Sequence, residues 1–153
     1  MHIGFTGSRE MPDEAQIKSI AMILKASKET YENIYFHHGD CVGSDTVAHM
    51  IAKKLEYKII LHPPTNRGNR SFLEEECYEV RDKYPYLERN HYIVQESDIL
   101  IAVPSQDKEV VRSGTWATIR YSKKLEVPRL LIFPEGKLSN QATPFLNAIG
   151  LGD

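Results

Sequence analysis

Three glycine-bearing segments combine small hydroxyl side chains with arginine or aspartate. They are TGSRE (6–10), HGDCVGSD (38–45) and RSGT (112–115). Glycine lets backbone N–H groups approach a ligand closely, and a helix N-terminus adds unsatisfied N–H donors with a partial positive charge. Segments of this kind hold phosphate or carboxylate groups, so anion binding is the chemistry that these residue types predict.

The third segment stands where a helix is predicted to begin. Its residues Ser113, Gly114 and Thr115 offer backbone N–H groups and hydroxyls to an anion, with Arg112 or Arg120 close enough to help. The alternative is structural: Ser113 caps the helix and Gly114 only permits the turn. The sequence leaves both interpretations open.

The first segment contributes Gly7, Ser8 and Arg9. Guanidinium groups suit bidentate contact with phosphate. Four arginines are predicted near the same edge of the fold, Arg9, Arg89, Arg112 and Arg120, and we expect at least two of them to contact a bound anion. Alternatively, each is a surface or salt-bridge residue.

The second segment contributes two glycines, Gly39 and Gly43, and two carboxylates, Asp40 and Asp45. The functional interpretation is that these carboxylates contact a ribose or a glycosidic carbon. Alternatively, Asp45 caps the helix that follows. In the same loop Cys41 is a candidate nucleophile, because a thiol beside a helix start has a lowered pKa.

Other side chains with binding chemistry give weaker signals. Trp116, directly after the third segment, either stacks on a base or packs against the sheet. The six histidines show neither HxH nor HExxH spacing. The spacing therefore predicts no metal site, and no cofactor is predicted.

Short apolar runs rich in β-branched residues predict the elements that position these segments. Five strands are predicted, at 2–7, 33–39, 57–63, 98–104 and 129–134. Helical patterns separate most of them, and the last helix runs from Gly114 to about Leu125. Parallel strands need long crossovers, which are usually helices. We therefore expect an α/β fold, a Rossmann-like three-layer sandwich with a mostly parallel sheet of five strands or slightly more.

Two regions between and after these elements are less regular. The span 63–97 is predicted to open with an exposed loop and to continue with one or two helices, as a lid or an interface. The tail after Pro134 predicts a hairpin or a short helix. In open parallel sheets ligands bind outside the carboxyl ends of the strands, which is where all three glycine-bearing segments fall.

Composition limits the classes of protein. The 153 residues, with 41% hydrophobic and 26% charged, suit one domain over 1–153. The net charge of −2 gives no global basic field, which argues against nucleic acid as the partner. Two cysteines without metal-type spacing favour a reducing compartment, and cytoplasm is the expectation. The apolar runs are far shorter than a membrane span, and no signal peptide is evident.

Four stretches carry a resemblance to a known superfamily: GFTGSRE (4–10), HHGDCVGSDTVAHMIAKKL (37–55), ERNHYIVQESDILIAVPS (88–105) and RSGTWATIRYSKKLEVP (112–128). They resemble the successive signatures of the SLOG superfamily. This nucleotide-binding Rossmann group unites the DNA-processing protein DprA with the LOG phosphoribohydrolases. The likeness covers roughly residues 3 to 133 and implies a Rossmann fold. It also implies a homo-oligomer.

The resemblance implies roles for particular residues. LOG enzymes use an arginine nine residues before a strand aspartate, and here Arg89 precedes Asp98 by that interval. The resemblance therefore implies a catalytic role for Arg89. The LOG turn PGGxGTxxE ends in a working glutamate, but this chain has Thr118 at that place. A replacement carboxylate would come from the acidic residues predicted at the same edge, Glu10, Asp40 and Asp45.

Together these observations predict a protein that binds a nucleotide or a nucleotide-derived small molecule, as a sensor or a sequestering protein. The missing glutamate favours binding without turnover. The alternative is a nucleotide N-glycosidase that releases a base, with Asp40 or Asp45 and Arg89 as its catalytic residues. A lower alternative is DprA-like binding of single-stranded DNA.

Overall fold

The computed structural model describes residues 1–152, so Asp153, the last residue of the predicted domain, lies outside the described residues. Six strands form one sheet in the order β4-β3-β2-β1-β5-β6, and every neighbouring pair is parallel. The strands are β1 His2–Gly7, β2 Tyr35–His38, β3 Lys58–Leu61, β4 Glu79–Val80, β5 Ile99–Val103 and β6 Arg129–Leu131. The predicted Rossmann-like α/β fold is confirmed.

Helices cover both faces of the sheet. They are α1 Glu14–Thr30, α2 Ser44–Lys54, α3 Tyr86–Gln95, α4 Gly114–Lys124 and α5 Thr143–Ala148. Helix α1 packs against α2, whereas α3 packs against α4. The crossovers thus form two helical layers around the sheet, as parallel strands require. None of the helices in residues 1–152 is long and apolar enough to cross a membrane.

Strand β5 shows why the central strands have continuous apolar runs. Ile99, Ile101 and Val103 pack into the core beneath α1 and α2, while Leu100 and Ala102 face apolar clusters on the opposite side. All of β5 is buried. A parallel strand covered on both faces needs apolar residues at every position, and the run 98–104 was recognisable for that reason.

The span 63–97 contains a loop exposed at 65–69 and then helix α3, as expected from the sequence. It holds a single turn of 3₁₀ helix at Glu74–Glu76 and the edge strand β4, before α3 begins at Tyr86. Strand β4 is only two residues long and both are exposed. Apolar patterning therefore could not predict it. The tail forms the short helix α5, one of its two predicted alternatives.

The strand order reverses between β1 and β5. From β1 the chain adds β2, β3 and β4 to one side of the sheet, then crosses back to place β5 and β6 on the other. The loops that follow β1 and β5 therefore diverge to opposite faces and leave a crevice at their carboxyl ends. This is the place where doubly wound sheets bind ligands.

Candidate functional site

A cleft of about 290 Å³ opens at the carboxyl ends of β1 and β5. The loops after β1, β2 and β5 and the start of α3 form its walls. Most of the residues predicted from the sequence line it: Gly7, Ser8, Arg9, Gly39, Asp45, Arg89, Ser113, Gly114 and Thr115. Segments more than 100 residues apart in the chain thus meet at one site.

Gly43 positions this cleft without lining it. It precedes α2 with a φ of 84°, and a Cβ there would collide with the backbone carbonyl of Arg9. The Ser44 amide donates a hydrogen bond to the Ser8 carbonyl at 3.0 Å. Glycine is therefore required at 43 because the loop after β1 lies directly against the start of α2.

The Asp45 carboxylate lies buried behind the loop after β2. It accepts hydrogen bonds from the backbone N–H groups of Gly39 at 3.2 Å and Cys41 at 3.1 Å. Asp45 therefore does not cap α2, which begins after Gly43 without a side-chain cap. Burial raises the pKa of Asp45 to about 6, although the nearby Arg89 charge and the two N–H groups act in the opposite direction.

Arg89 is a buried cation on α3. One terminal nitrogen, Nη1, donates to the carbonyls of Gly39 and His62, and Nη2 lies 3.6 Å from the Cys41 sulfur. Its Nε is buried without a hydrogen-bond partner among the described residues. Nor does any carboxylate in residues 1–152 form an ion pair with it. A buried guanidinium in this state is costly unless an anion approaches it.

Tyr86 lies beside two of these arginines. The guanidinium carbon of Arg9 is 5.0 Å from the centre of its ring and that of Arg89 is 5.4 Å away. Both distances suit cation–π contact. The sequence analysis missed Tyr86, although its position three residues before Arg89 on the same helix places the two side chains on one face.

The start of α4 satisfies both interpretations of its sequence. The Ser113 hydroxyl accepts a hydrogen bond from the Trp116 amide at 3.3 Å, so Ser113 caps the helix. Ser113, Gly114 and Thr115 nevertheless line the cleft. A Cβ at Gly114 would meet no atom within 4 Å, so this glycine leaves open space at the helix N-terminus.

Asp40 is the main correction to the predicted site. Its carboxylate forms an ion pair with the buried Arg70 at 2.8 Å and accepts hydrogen bonds from the amides of Phe72 and Leu73. It does not belong to the residues described as lining the cleft. Asp40 therefore anchors the segment after β3 and has no free oxygen aimed at a ligand.

Three further side chains lie away from the cleft. Arg112 is exposed and outside its lining. Arg120 forms an ion pair with Glu109 at 2.7 Å. Trp116 is buried in an apolar cluster with Ala102, Ile119 and Leu131. Packing against the sheet is thus the role of the tryptophan, and base stacking falls away.

Cys41 lines the cleft but is not activated. Burial, with the neighbouring Asp45 charge, raises the pKa of its thiol, while the Arg89 charge lowers it by a smaller amount. At neutral pH the thiol form dominates. Because the thiolate is the nucleophile, the environment argues against nucleophilic catalysis by Cys41.

Comparison with known proteins gives structural matches only. No protein-family model matches the sequence, and a search of curated proteins finds no match. A molybdenum cofactor binding protein from the phototrophic bacterium Rippkaea orientalis matches with a TM-score of 0.64 and 21% identity. That match covers 98% of this chain and 85% of the other.

Two more solved structures resemble this chain. DNA processing protein A from Helicobacter pylori matches with a TM-score of 0.65 and 18% identity, over 100% of this chain and 74% of that one. The molybdenum cofactor carrier protein of Chlamydomonas reinhardtii matches with a TM-score of 0.60 and 17% identity, over 97% and 84%. At these identities the likeness is one of fold. The chain therefore shares its Rossmann-like fold with these solved structures.

Proposed function

We propose that this protein binds a nucleotide or a nucleotide-derived ligand in the cleft at the carboxyl ends of β1 and β5, as a sensor or a sequestering protein. The observation that carries the proposal is Arg89, a buried guanidinium with an unpartnered Nε and no ion pair in the described residues. An anionic group of a ligand would supply the missing negative charge.

The surrounding groups suit a phosphate. The N-terminus of α4 presents Ser113, Gly114 and Thr115 to the cleft, and Ser8 and Arg9 face the same space. Helix N-terminal amides attract anions, and glycine allows their close approach. A phosphate at this point would lie between the α4 N-terminus and the loop after β1.

The remaining wall suits the rest of a nucleotide. Tyr86 offers a ring face for a base or sugar, and Asp45 offers carboxylate oxygens behind the loop after β2. The volume of about 290 Å³ is at the lower end for small-molecule sites, so it holds a ligand part about the size of one nucleotide. The like-folded proteins bind molybdenum cofactor or single-stranded DNA, which supports a ligand of this chemical kind.

Native mass spectrometry tests the proposal. The purified protein is incubated with nucleoside monophosphates, dinucleotides and cyclic nucleotides, and both retained masses and released bases are read. An intact retained ligand supports a sensor or sequestering protein. Retention of no member of the pool would contradict it.

Two arginine variants then test the place of binding by calorimetry with the retained nucleotide. Both arginines are exposed, so neither substitution disturbs the core. Arg9→Ala should weaken binding by about tenfold or more, because a charge-assisted contact is lost. Arg112→Ala, the matched control outside the cleft, should leave the affinity unchanged. Equal losses in both variants would place the ligand elsewhere.

A second function rests on Asp45. A carboxyl group whose pKa burial raises to about 6, next to the Arg89 charge in a cleft, matches what acid–base chemistry needs near neutral pH. As an N-glycosidase, the protein would use this carboxylate to stabilise oxocarbenium-like charge or to activate water, while Arg89 holds the phosphate.

The enzyme is distinguished by its products. Free base together with ribose phosphate in the incubation would establish hydrolysis, and Asp45→Asn should then abolish turnover while the nucleotide still binds. Full turnover in Asp45→Asn would show that another group acts. DprA-like binding of single-stranded DNA would instead appear as affinity for an oligothymidylate that falls steeply with salt, since phosphate contacts release counterions.

A further inference from the structure

Two buried histidines and a glutamate meet on the face of the sheet that α3 covers. His37 lies in β2, His62 directly follows β3, and Glu96 caps the end of α3. His37 Nδ1 is 2.9 Å from His62 Nε2, and that nitrogen is 3.7 Å from a carboxylate oxygen of Glu96. The three potential ligand atoms all lie within 4.8 Å of one another.

We propose that His37 Nδ1, His62 Nε2 and Glu96 Oε2 bind one divalent transition-metal ion of the zinc type. Two histidines and one glutamate are a known zinc ligand set that leaves a fourth position open. A cavity of about 140 Å³ adjoins His62 and Glu96 and gives that position room for water. Arg81 and Arg89 also line this cavity, and Arg89 lines the proposed nucleotide cleft as well. The two sites are therefore neighbours, although none of the three proposed metal ligands lines the cleft.

Two of the three distances need little adjustment, and the third, between His37 and Glu96, lies within 4.8 Å and would have to shorten most. With bonds of about 2.0–2.1 Å, ligand atoms of a tetrahedral zinc site are about 3.3 Å apart. The two histidine nitrogens at 2.9 Å would separate by a few tenths of an ångström, and the Glu96 oxygen at 3.7 Å from His62 would approach by a similar amount.

At 2.9 Å one of the two facing histidine nitrogens carries a hydrogen, so metal binding requires both rings to carry their hydrogen on the other nitrogen, Nε2 of His37 and Nδ1 of His62. The outer contacts favour this form for His37. His37 Nε2 lies 2.8 Å from His2 Nδ1, so a His37 ring protonated at Nε2 donates to His2 and turns the Nδ1 lone pair inward. Arg81 donates mainly to Glu96 Oε1, from Nη2 at 2.6 Å and from Nε at 3.1 Å, and its Nε makes a longer contact of 3.4 Å with Oε2, which lies towards His62. Such outer-shell contacts are typical of metal sites.

Burial also keeps both imidazoles in the required form. Desolvation lowers the pKa of His37 to about 2 and that of His62 to about 4. Both rings are therefore neutral near pH 7, as metal coordination requires.

A second cluster, formed by His38, His49 and Cys77, is less available to a metal. The Asp40 amide donates to His38 Nδ1 at 3.0 Å, so the neutral His38 ring carries its hydrogen on Nε2 and donates it to His49. That nitrogen has no lone pair for a metal. Burial also raises the pKa of Cys77 to about 12, which disfavours the thiolate.

Titration with Co²⁺ tests the proposal on tag-free full-length protein from which metal has been removed by a chelator. One equivalent of Co²⁺ should bind and give the intense visible bands of a tetrahedral ion, and Zn²⁺ should displace it. Glu96→Gln should weaken Co²⁺ binding by at least about tenfold, the loss that outer-shell substitutions already produce. His49→Gln, in the other cluster, should leave it unchanged.

Folding is checked by circular dichroism for every variant. Glu96 is partly exposed, so Glu96→Gln should keep the fold, and His62→Gln adds a second ligand variant if it folds as well. The proposal is overturned if the wild-type protein binds no stoichiometric Co²⁺. It is equally overturned if Glu96→Gln binds as tightly as wild type, or if His49→Gln alone abolishes binding.

Discussion

Replacement of Asp45 by asparagine measures how much the burial of this carboxylate at the cleft destabilises its ionised form. Burial raises the pKa of Asp45 from 3.8 to about 6. The unfolded chain releases this proton near pH 3.8, whereas the native protein retains it until about pH 6. Between these values the native state binds the extra proton, so wild-type stability falls as pH rises.

The magnitude follows from the two pKa values. A difference of about two pKa units corresponds to about 3 kcal/mol of unfolding free energy, because each unit is worth about 1.4 kcal/mol. Asparagine stays neutral at every pH. The stability of Asp45→Asn relative to wild type should therefore rise by about 3 kcal/mol from pH 3 to pH 7, and about 1.3 kcal/mol of this falls between pH 5 and pH 7.

Urea denaturation at several pH values between 5 and 7 gives the free energy of unfolding of the wild-type protein and of Asp45→Asn. Loss of the hydrogen bonds from Gly39 and Cys41 changes the free energy of unfolding by the same amount at every pH, so it does not affect the pH trend. Asp13→Asn is the matched control, because backbone hydrogen bonds from Glu135 and Gln16 lower the pKa of Asp13 and its titration lies below this window. Its difference from wild type should be flat. A flat difference for Asp45→Asn would refute the reasoning.

Three other perturbations have defined outcomes. Gly43→Ala should destabilise the protein by about 1–3 kcal/mol in thermal or urea unfolding, because the φ of this residue is 84° and a Cβ there would collide with backbone atoms. Gly114→Ala adds a methyl group in open space, so it should change the stability little. Equal effects of the two substitutions would contradict this reasoning. Asp40→Asn should cost about 2 kcal/mol, because the buried Arg70 loses its buried carboxylate partner and keeps only the more exposed Glu74. A cost below about 1 kcal/mol would mean that the pair contributes little. In a Cys77→Ser variant, Cys41 should react with iodoacetamide at pH 8 more slowly in the folded protein than in the urea-unfolded chain, because burial raises the pKa of its thiol. Equal rates would show that the folded protein has an accessible Cys41 thiolate.

Local sequence was sufficient wherever a short segment decides its own structure. The run 98–104 is apolar at every position because β5 is covered on both faces, and it was predicted as a strand. Edge strand β4 escaped prediction because its two exposed residues have no apolar pattern. The loops at 6–10 and 112–115 were predicted as cleft walls since glycine and hydroxyl residues follow strands there.

Asp40 and Asp45 show what required the tertiary structure. Both stand in one short loop, and nothing local separates their roles. Arg70, 30 residues away from Asp40, pairs with that carboxylate, whereas Asp45 lines the cleft together with Glu10. The different roles of the two aspartates depend on which carboxylate a distant arginine contacts in the folded protein.

The sequence by itself thus determined the parallel α/β fold, the edge of the sheet where the cleft opens, and the glycine-bearing loops that line it. These follow from hydrophobic periodicity and backbone conformation, which act over a few residues. Only the tertiary structure decided that Trp116 packs in the core and that His37, His62 and Glu96 meet. Burial and charge pairing involve residues that are far apart in the chain. A local sequence pattern does not show which of these residues lie close together in the folded protein.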